Sequence, residues 1–243
     1  MIHHLEALNS TRRRPLDLSE SNERLERAPV SEAIAWAHET FGAGLVMATG
    51  FGPSGVVLAH YVAEMAIDLR VFYIDTSLLF PSTHRLKEEL SERLGLTFEP
   101  ISGIGLEQQS AEHGSQLWSR NPDRCCHIRK VAPLREYLKG KGAWITGLRR
   151  DQSAGRAGSQ ILEWDQRNGL YKLNPLAAWT SDDVWRYIRE HRLPYNDLHD
   201  EGYPSIGCEP CTRNVAVGED ERAGRWAGTN KTECGIHQRR EVA

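Results

Sequence analysis

The stretch that decides the fold is "GLVMATGFGPSGVVLAHYVAEMA", residues 44–66. Its first part is a short apolar run ending at Gly50, which is typical of a buried β-strand. Its second part has the spacing of a helix, and Ser54 is the expected N-cap. A glycine-rich turn joins the two parts. The stretch therefore predicts a strand–turn–helix unit, the repeating element of α/β folds.

The same alternation continues along the chain. Apolar runs rich in β-branched and aromatic residues predict strands at residues 69–76, 96–101 and 142–148. Helical patterns lie between them at 81–95 and 123–140, the first with proline at its start and glycine after its end. We therefore expect an α/β fold with a doubly wound, mostly parallel sheet.

The pattern changes after Arg150. Residues 161–176 predict a hairpin around Asn168-Gly169, and residues 180–193 predict a helix capped by serine or threonine. Past Cys211 the chain is rich in Gly, Arg and Glu, which is typical of a mobile segment. The expected organisation is an N-terminal arm (1–29), an α/β domain (30–211) and a C-terminal tail (212–243).

Composition limits the classes of function. The 243 residues are 40% hydrophobic and 26% charged, as in globular proteins with a real core. A formal net charge of −3 gives no global sign of nucleic-acid or membrane binding, so any anion site must be local. No apolar run approaches the roughly 20 residues that span a bilayer, and the N-terminus lacks the apolar block of a secretory signal. We expect a cytoplasmic protein, in which cysteines are more often ligands or catalysts than disulfides.

The glycine-rich turn is a candidate anion site. Gly50, Gly52 and Gly55 leave backbone N–H groups accessible at the positive end of the following helix, where a phosphate or sulfate can bind. The turn has neither the dinucleotide-binding spacing nor the Lys-Ser/Thr of a Walker loop, so an ordinary tight turn is the alternative. The other strand ends carry Asp75 and the arginines of "TGLRRDQSAGR" (146–156), which favours a binding site. Of these arginines, Arg150 is expected to be a solvated surface residue.

Four of the five cysteines have the spacing of metal ligands. Cys125 and Cys126 are adjacent, and Cys208 and Cys211 form "CEPC". Zinc and a [4Fe–4S] cluster both accept four thiolates. The adjacent side chains of Cys125 and Cys126 point apart, which favours a cluster, because a cluster offers separate corners for its ligands. Two buried thiols with a redox Cys-x-x-Cys, or a vicinal disulfide, are the alternatives. Cys234 lies among charged residues, as a reactive thiol does.

Taken together these residues resemble the assimilatory sulfonucleotide reductases, specifically the iron–sulfur type of adenylyl-sulfate (APS) reductase. The resemblance rests on "DRCCHIRKVAPL" (123–134), "TGLRRDQSAGR", "YPSIGCEPCT" (203–212) and "ECGIH" (233–237), in order along most of the chain. One departure concerns the glycine turn: the family's loop usually carries an acidic pair, whereas this chain has "GFGPSG" (50–55).

The resemblance implies an adenine nucleotide alpha hydrolase-like fold and a thioredoxin-dependent reduction of APS to sulfite and AMP. Cys234 on the tail would be the nucleophile, forming an S-sulfocysteine and then swinging out to a thioredoxin-type thiol. The implied ligands of a [4Fe–4S] cluster are Cys125, Cys126, Cys208 and Cys211. The implied substrate-binding residues are Gly50, Gly52, Asp75, Lys130, Gly147, Arg149, Arg156, Arg222, Arg225 and His237.

Three rival functions stay open at this stage. The nearest is reduction of 3′-phosphoadenylyl sulfate (PAPS), or dual specificity, because PAPS reductases share the terminal motif but commonly lack the cluster cysteines. The second is a nucleotide-activating tRNA sulfur transferase, which would want a Ser-Gly-Gly-type loop and a basic RNA surface. The third is a non-catalytic zinc-binding module. The oligomeric state is also open, and a homo-oligomer is compatible with the sequence.

Overall fold

The computed structural model describes residues 16–216 and 218–237, so the predicted arm is described only from residue 16 and the tail only to His237. The strands are β1 (Leu45–Thr49), β2 (Arg70–Asp75), β3 (Phe98–Ser102), β4 (Ala143–Ile145), β5 (Leu162–Asp165) and β6 (Leu170–Leu173). The α-helices are α1 (Leu18–Leu25), α2 (Val30–Phe41), α3 (Pro53–Glu64), α4 (Pro81–Leu94), α5 (Leu106–His113), α6 (Leu117–Arg120), α7 (Pro122–Cys126), α8 (Ala132–Leu138) and α9 (Ser181–Glu190).

The six strands form one sheet in the order β3-β2-β1-β4-β6-β5. β1 pairs in parallel with both β2 and β4, and β2 pairs in parallel with β3. Only β5 is antiparallel, because the predicted hairpin joins it to β6, with Gly169 at a φ of 70° in the turn. The predicted α/β fold with a doubly wound, mostly parallel sheet is confirmed.

Both faces of the sheet are covered. Met47, Val71 and Ile145 pack on one face against helices that include α2 and α3. Their neighbours Phe72 and Trp144 point to the other face, where they pack with residues of α8. Successive residues of each strand point to opposite faces of the sheet, and both faces pack against helices. Both sets of residues are therefore apolar, which explains why these strands appear in the sequence as continuous apolar runs.

The helix ends follow the predicted signals with one exception. Gly95 ends α4 in the left-handed region at a φ of 65°, and Thr180 forms a capping box with Asp183 at the start of α9. The predicted N-cap at Ser54 is wrong: Gly52 occupies that position and Ser54 lies inside α3. Pro53 is the reason, since proline is favoured at the first helical position and moves the start of the helix forward.

The helix predicted at 123–140 contains a wide turn. α7 and α8 are joined by a π-helical turn, His127–Val131, just before Pro133. Proline lacks an N–H, and a locally widened turn accommodates the missing hydrogen bond. The turn also comes close to the loop after β3, because a Cβ on Gly103 would lie 2.4 Å from the carbonyl oxygen of Ile128. The backbone is therefore irregular beside Cys125 and Cys126.

The described part of the arm is bonded to the sheet. The Asn22 amide donates to the Leu162 carbonyl and accepts from the Leu162 N–H, both at 2.9 Å. Leu25 is buried in the core. The boundary at residue 29 stays a prediction. Within residues 16–216 and 218–237, no helix is both long and apolar enough to cross a membrane.

Candidate active site

A cavity of about 320 Å³ opens at the carboxyl ends of β1, β2 and β4, where ligands bind in open parallel sheets. We call it the inner cavity. Its lining combines the glycine turn at 50–55, the segment after β4 and residues of the C-terminal tail. Of the predicted site residues, it brings together Gly50, Gly52, Lys130, Gly147, Arg149, Arg156, Arg222, Arg225, Cys234 and His237.

The glycine turn is shaped for close approach of a ligand. A Cβ added at Gly50 or Gly52 would meet nothing within 4 Å. Gly55 is different, since its Cβ would lie 2.5 Å from Thr49 Oγ1. Phe51 has a φ of 57° and donates its N–H to the same Thr49 hydroxyl at 3.0 Å. The turn therefore presents backbone at the N-terminus of the twelve-residue helix α3, where an anion is favoured.

Gly147 brings the end of β4 against the start of α3. A Cβ at this position would lie 2.9 Å from Ser54 Cβ and 3.3 Å from the Gly55 nitrogen. The absence of a side chain is therefore a packing requirement as well as a feature of the cavity wall.

Arg149 is a buried part of the cavity wall. Its guanidinium donates to Asp151 at 2.9 and 3.2 Å and to the Ser54 hydroxyl at 2.7 Å. Asp151 therefore already offsets its charge. Arg150 was expected on the surface in water; it is half-buried and instead pairs with Glu26 and donates to the Ser159 carbonyl at 2.7 Å. Local ion pairs therefore fix both side chains.

Arg156 and Arg222 converge on one carboxylate. Arg156 donates to Glu233 through two nitrogens, at 2.9 and 2.8 Å, and Arg222 donates to the same carboxylate at 3.1 Å. Arg222 also donates to the Thr232 carbonyl at 3.1 Å. Glu233 directly precedes Cys234, so two cavity arginines hold the cysteine segment in place.

Arg225 lies against the loop that carries the second cysteine pair. Its guanidinium is 4.7 Å from the centre of the Trp226 ring and donates to the Ser205 hydroxyl at 3.2 Å. A Cβ on Gly207 would lie 2.1 Å from an Arg225 nitrogen, so the glycine makes room for the arginine. Arg222 and Arg225, both implied by the resemblance to bind substrate, line the same cavity but have different partners.

Asp75 is placed differently from the predicted binding residues. It ends β2 but is not part of the inner cavity lining, which continues at Thr76. Its carboxylate accepts the Ser77 N–H at 2.8 Å, which fixes the turn after the strand.

The four cysteines with ligand spacing lie near one another. Cys125, Cys126 and Cys208 are buried and Cys211 is half-buried. Burial, with the neighbouring thiols as a further cause, raises the pKa of Cys125 to about 12, and the same causes raise the pKa of Cys211 to about 11. Burial also opposes ionisation of Cys208, but Lys130 and the Thr76 hydroxyl hold the pKa of Cys208 below its usual value.

The described residues contain no group of three or more His, Cys, Asp or Glu side chains arranged to hold a metal ion. The geometry of the described residues therefore does not by itself identify a metal site, whether for a single ion or for a cluster. The prediction of a cluster rests on the four neighbouring thiols and on the resemblance.

Lys130 links the cysteines to the inner cavity. It lines the cavity and is also close enough to Cys208 to lower the pKa of that thiol. Burial works against its charge, yet the thiols of Cys208, Cys234 and Cys126 keep the pKa of Lys130 above its usual value. A positive charge is therefore held between the cysteines and the space for a ligand.

The tail closes the cavity. Ile236 packs against the apolar layer that contains Phe72 and Trp144, and the His237 ring stacks on Trp144 at 5.9 Å between ring centres. Burial, with nearby cations as a further cause, holds the pKa of His237 well below 6.5. The imidazole is therefore neutral, and its buried Nδ1 has no hydrogen-bond partner among the described residues.

Two residues of the site were not predicted. Glu233 belongs to the motif "ECGIH", which gives no sign that its carboxylate bridges two arginines. Arg129 lies buried behind the cysteines and donates to the Thr76 carbonyl at 2.7 Å and the Ile104 carbonyl at 3.0 Å. Its place beside Lys130 in "CCHIRK" (125–130) was the available signal.

Comparison with known proteins places these features in context. Residues 44–214 match the phosphoadenosine phosphosulfate reductase domain. The chain is 48% identical over 222 residues to the adenosine 5′-phosphosulfate reductase of Salinibacter ruber, covering 90% of this chain and 88% of that protein. It is 46% identical over 225 residues to that of Halalkalibacterium halodurans, covering 92% of this chain and 97% of that protein. The crystal structure of phosphoadenylyl-sulfate (PAPS) reductase from Candida auris, a phosphate complex, is 30% identical with a TM-score of 0.73, covering 83% of this chain and 98% of that chain.

Proposed function

The chain belongs to the phosphoadenosine phosphosulfate reductase domain family, and from this premise we propose that it reduces adenosine 5′-phosphosulfate to sulfite and AMP in sulfate assimilation. The observation that carries this proposal is the position of Cys234. It lines the same cavity as the glycine turn, Lys130 and the arginines. Relatives named adenosine 5′-phosphosulfate reductase, at 46–48% identity, favour APS as the substrate.

The first half-reaction transfers the sulfonate to the protein. The Cys234 thiolate attacks the sulfate sulfur, a sulfur–sulfur bond forms, and the bond from sulfur to the bridging oxygen breaks. AMP leaves with the electron pair, and Cys234 carries an S-sulfonate. A thiolate is the active nucleophile, and cations nearby favour it. Lys130 and Arg222 both interact electrostatically with Cys234.

Cations must offset the charges that this step brings together. A thiolate approaches a group that already bears sulfate and phosphate charge, and preorganised positive charge is the usual remedy. Arg156, Arg222, Arg225 and Lys130 line the inner cavity around Cys234. We assign the phosphate to the glycine turn and the sulfonate to the cationic end beside Lys130. Neutral His237 can donate or accept a hydrogen bond there, but it carries no charge for the substrate.

In the second half-reaction a reductant thiolate attacks the Cys234 sulfur. A disulfide forms between the two proteins, and sulfite leaves with the electron pair. The second thiol of the reductant then frees Cys234. We propose a thioredoxin-type dithiol as this reductant. Free thiols are needed throughout, which favours the cytoplasm. We propose that residues 30–211 form the nucleotide site and that the tail, 212–243, carries the nucleophile together with Arg222 and Arg225.

We further propose that Cys125, Cys126, Cys208 and Cys211 hold a [4Fe–4S] cluster. Four thiols in mutual electrostatic contact, next to the cations Lys130 and Arg129, suit an anionic group bound by four thiolates. Cys125, Cys126, Cys208 and Cys211 would each supply one thiolate to such a cluster. When bound, the cluster would supply local structure and electrostatics rather than the electrons of the reaction.

Intact-mass measurement tests the function. Purified protein is incubated with APS or with PAPS at equal concentration, without a thiol. We expect a sulfonate adduct with APS that is absent from Cys234→Ser. A larger yield with PAPS would favour the activity of the 30% identical Candida auris protein instead. The absence of an adduct with either nucleotide would contradict the proposed function.

A further inference from the structure

The sheet carries a buried lysine that the proposed reaction does not use. Lys172 of β6 is only 6% exposed, and its ammonium donates to the Glu163 carboxylate of β5 at 3.3 Å. Burial lowers the pKa of Lys172, and Glu163 opposes that effect. An ammonium is costly to bury, so its position inside the protein calls for an explanation.

The strand register places Lys172 beside Trp144. The two residues are partners in the parallel ladder of β4 and β6, and Glu163 is the partner of Lys172 in the ladder of β5 and β6. Partners on neighbouring strands point to the same face of a sheet. Trp144, Lys172 and Glu163 therefore form one row on the face that packs with α8.

Glu163 holds this row in place through a buried polar network. Its carboxylate also accepts from the Asn174 amide at 3.2 Å, and the Asn174 oxygen accepts from the Thr146 hydroxyl at 2.6 Å. Thr146 lines the inner cavity. The ammonium of Lys172 is therefore fixed relative to the cavity wall rather than free to move into solvent.

The end of the described tail packs on the same row. The His237 ring lies nearly parallel to the Trp144 indole, with 10° between the ring planes and 5.9 Å between the centres. Ile236 packs against the apolar layer that contains Trp144. His237 is thus in contact with the register neighbour of Lys172 and lies three residues after the proposed nucleophile, Cys234.

The charged groups that act on His237 come from three parts of the chain. Lys172 lies on β6, Arg156 follows β4, and Arg222 belongs to the tail itself. Burial is the largest cause of the lowered pKa of His237, and Lys172 comes next, ahead of the two arginines. Both arginines already pair with Glu233. A protonated His237 would therefore meet three cations in a site removed from water.

We propose that Lys172 is a positioning residue for sulfonate transfer, because it keeps His237 neutral and stacked on Trp144 and thereby holds Cys234 in the inner cavity. This inference rests on the proposed function. Lys172 touches neither the nucleotide nor the reacting sulfur; it acts through His237. The proposal concerns the docked tail during the first half-reaction only.

The test measures His237 and sulfonate transfer separately. Protein labelled with ¹³C at histidine is titrated by NMR between pH 8 and pH 5, and the His237 signal is identified by its loss in His237→Asn. Lys172→Met removes the ammonium and keeps an unbranched apolar chain, whereas Lys172→Arg keeps a positive charge. Lys139→Met is the matched control, since Lys139 pairs with Glu136 where both side chains are well exposed.

In Lys172→Met we expect His237 to titrate at least about one pH unit higher than in the native protein, because one of three neighbouring cations is lost. Single-turnover transfer from APS to Cys234, relative to the native rate, should be close to one at pH 8 and about threefold or more lower at pH 5. Ionisation of Cys234 affects both proteins and cancels in this ratio. Lys172→Arg and Lys139→Met should keep the native titration and the native rates.

Two results would overturn the proposal. One is a native His237 titration in Lys172→Met. The other is transfer that falls equally at pH 8 and pH 5, as it would if the lysine only stabilised the fold. If Lys172→Met does not fold, Lys172→Met with Glu163→Gln removes both charges of the buried pair, and a shift in the same direction is expected. Native protein that forms no S-sulfocysteine would contradict the proposed function, whereas the NMR titration needs no substrate and still decides whether Lys172 acts on His237.

Discussion

Glu233 and Arg156 are joined by two parallel hydrogen bonds, from Nε to Oε1 at 2.9 Å and from Nη2 to Oε2 at 2.8 Å. The side chains are 18% and 11% exposed, so the pair is largely removed from water. The carboxylate before the nucleophile thus occupies an arginine that lines the nucleotide cavity. A substrate anion and Glu233 either share this arginine or compete for it.

Glu233→Gln keeps the size of the side chain and removes its charge. Charged hydrogen bonds contribute about 1.5–3 kcal/mol, so we expect the rate of sulfonate transfer to Cys234 to fall about tenfold or more. AMP binding should stay the same or tighten, because Arg156 and Arg222 become available to an anion. Single-turnover mass spectrometry measures the transfer, and calorimetric titration measures AMP binding.

Glu219→Gln is the matched control for this test. Glu219 forms a similar pair with Arg213 at 3.0 Å, but both side chains are well exposed. Exposed pairs contribute little, so this variant should transfer sulfonate at the native rate. Native transfer by Glu233→Gln as well would show that the Arg156–Glu233 pair does not position the nucleophile.

The fold could be predicted from the sequence where short local patterns favour the same strands, turns and helices that the structure contains. β1, the glycine turn and α3 carry their pattern within residues 44–66, and Gly169 and Thr180 are local turn and cap signals. The helices at 106–120 were not predicted, because their sequence is polar and short and has no strong periodicity. Ser54 was misassigned since proline and serine both signal a helix start, and proline determined the register.

The site was predictable to the extent that its residues occur in motifs. The arginines after β4 and the two cysteine pairs are visible in sequence, and most predicted residues line the inner cavity. Which arginine pairs with which acid is a long-range property: Arg156 and Glu233 are 77 positions apart. No pattern of neighbours encodes that contact.

Cys208→Ser tests the proposed cluster. If the four cysteines hold the proposed cluster, loss of one thiolate ligand should remove its iron and the brown colour that such a cluster gives, and lower sulfonate transfer by at least about tenfold. Cys234→Ser is the control, since it should retain the iron of the native protein while losing transfer. Iron analysis and visible absorption measure the first effect. Stoichiometric zinc in colourless native protein would contradict the assignment.

Alanine substitutions at two glycines of the cavity should have different effects, one on the stability of the protein and the other on nucleotide binding. Gly147→Ala places a Cβ 2.9 Å from Ser54 Cβ, and such overpacking costs about 1–3 kcal/mol. Gly50→Ala meets nothing within 4 Å, so its stability should be close to native while its methyl group narrows the space for the nucleotide. Urea unfolding measures stability, and AMP titration measures binding. Weaker AMP binding is expected in Gly50→Ala; native affinity there would argue against the phosphate assignment.

Docking of the tail should weaken in acid because of His237. Burial, with Lys172, Arg156 and Arg222 as further causes, holds its pKa well below the 6.5 of a solvent-exposed histidine. The undocked tail therefore binds more protons below pH 6.5, and protonation favours undocking. Above pH 6.5 the docking equilibrium of the tail does not change through His237. Below pH 6.5, each further pH unit shifts that equilibrium toward the undocked tail by up to about tenfold. Trp144 fluorescence and proteolysis at Lys231 measure docking.

His237→Asn removes the titrating group, so docking of the tail in this variant should not change between pH 7 and pH 5.5 through this cause. An unchanged pH dependence in that variant would assign the effect to another group.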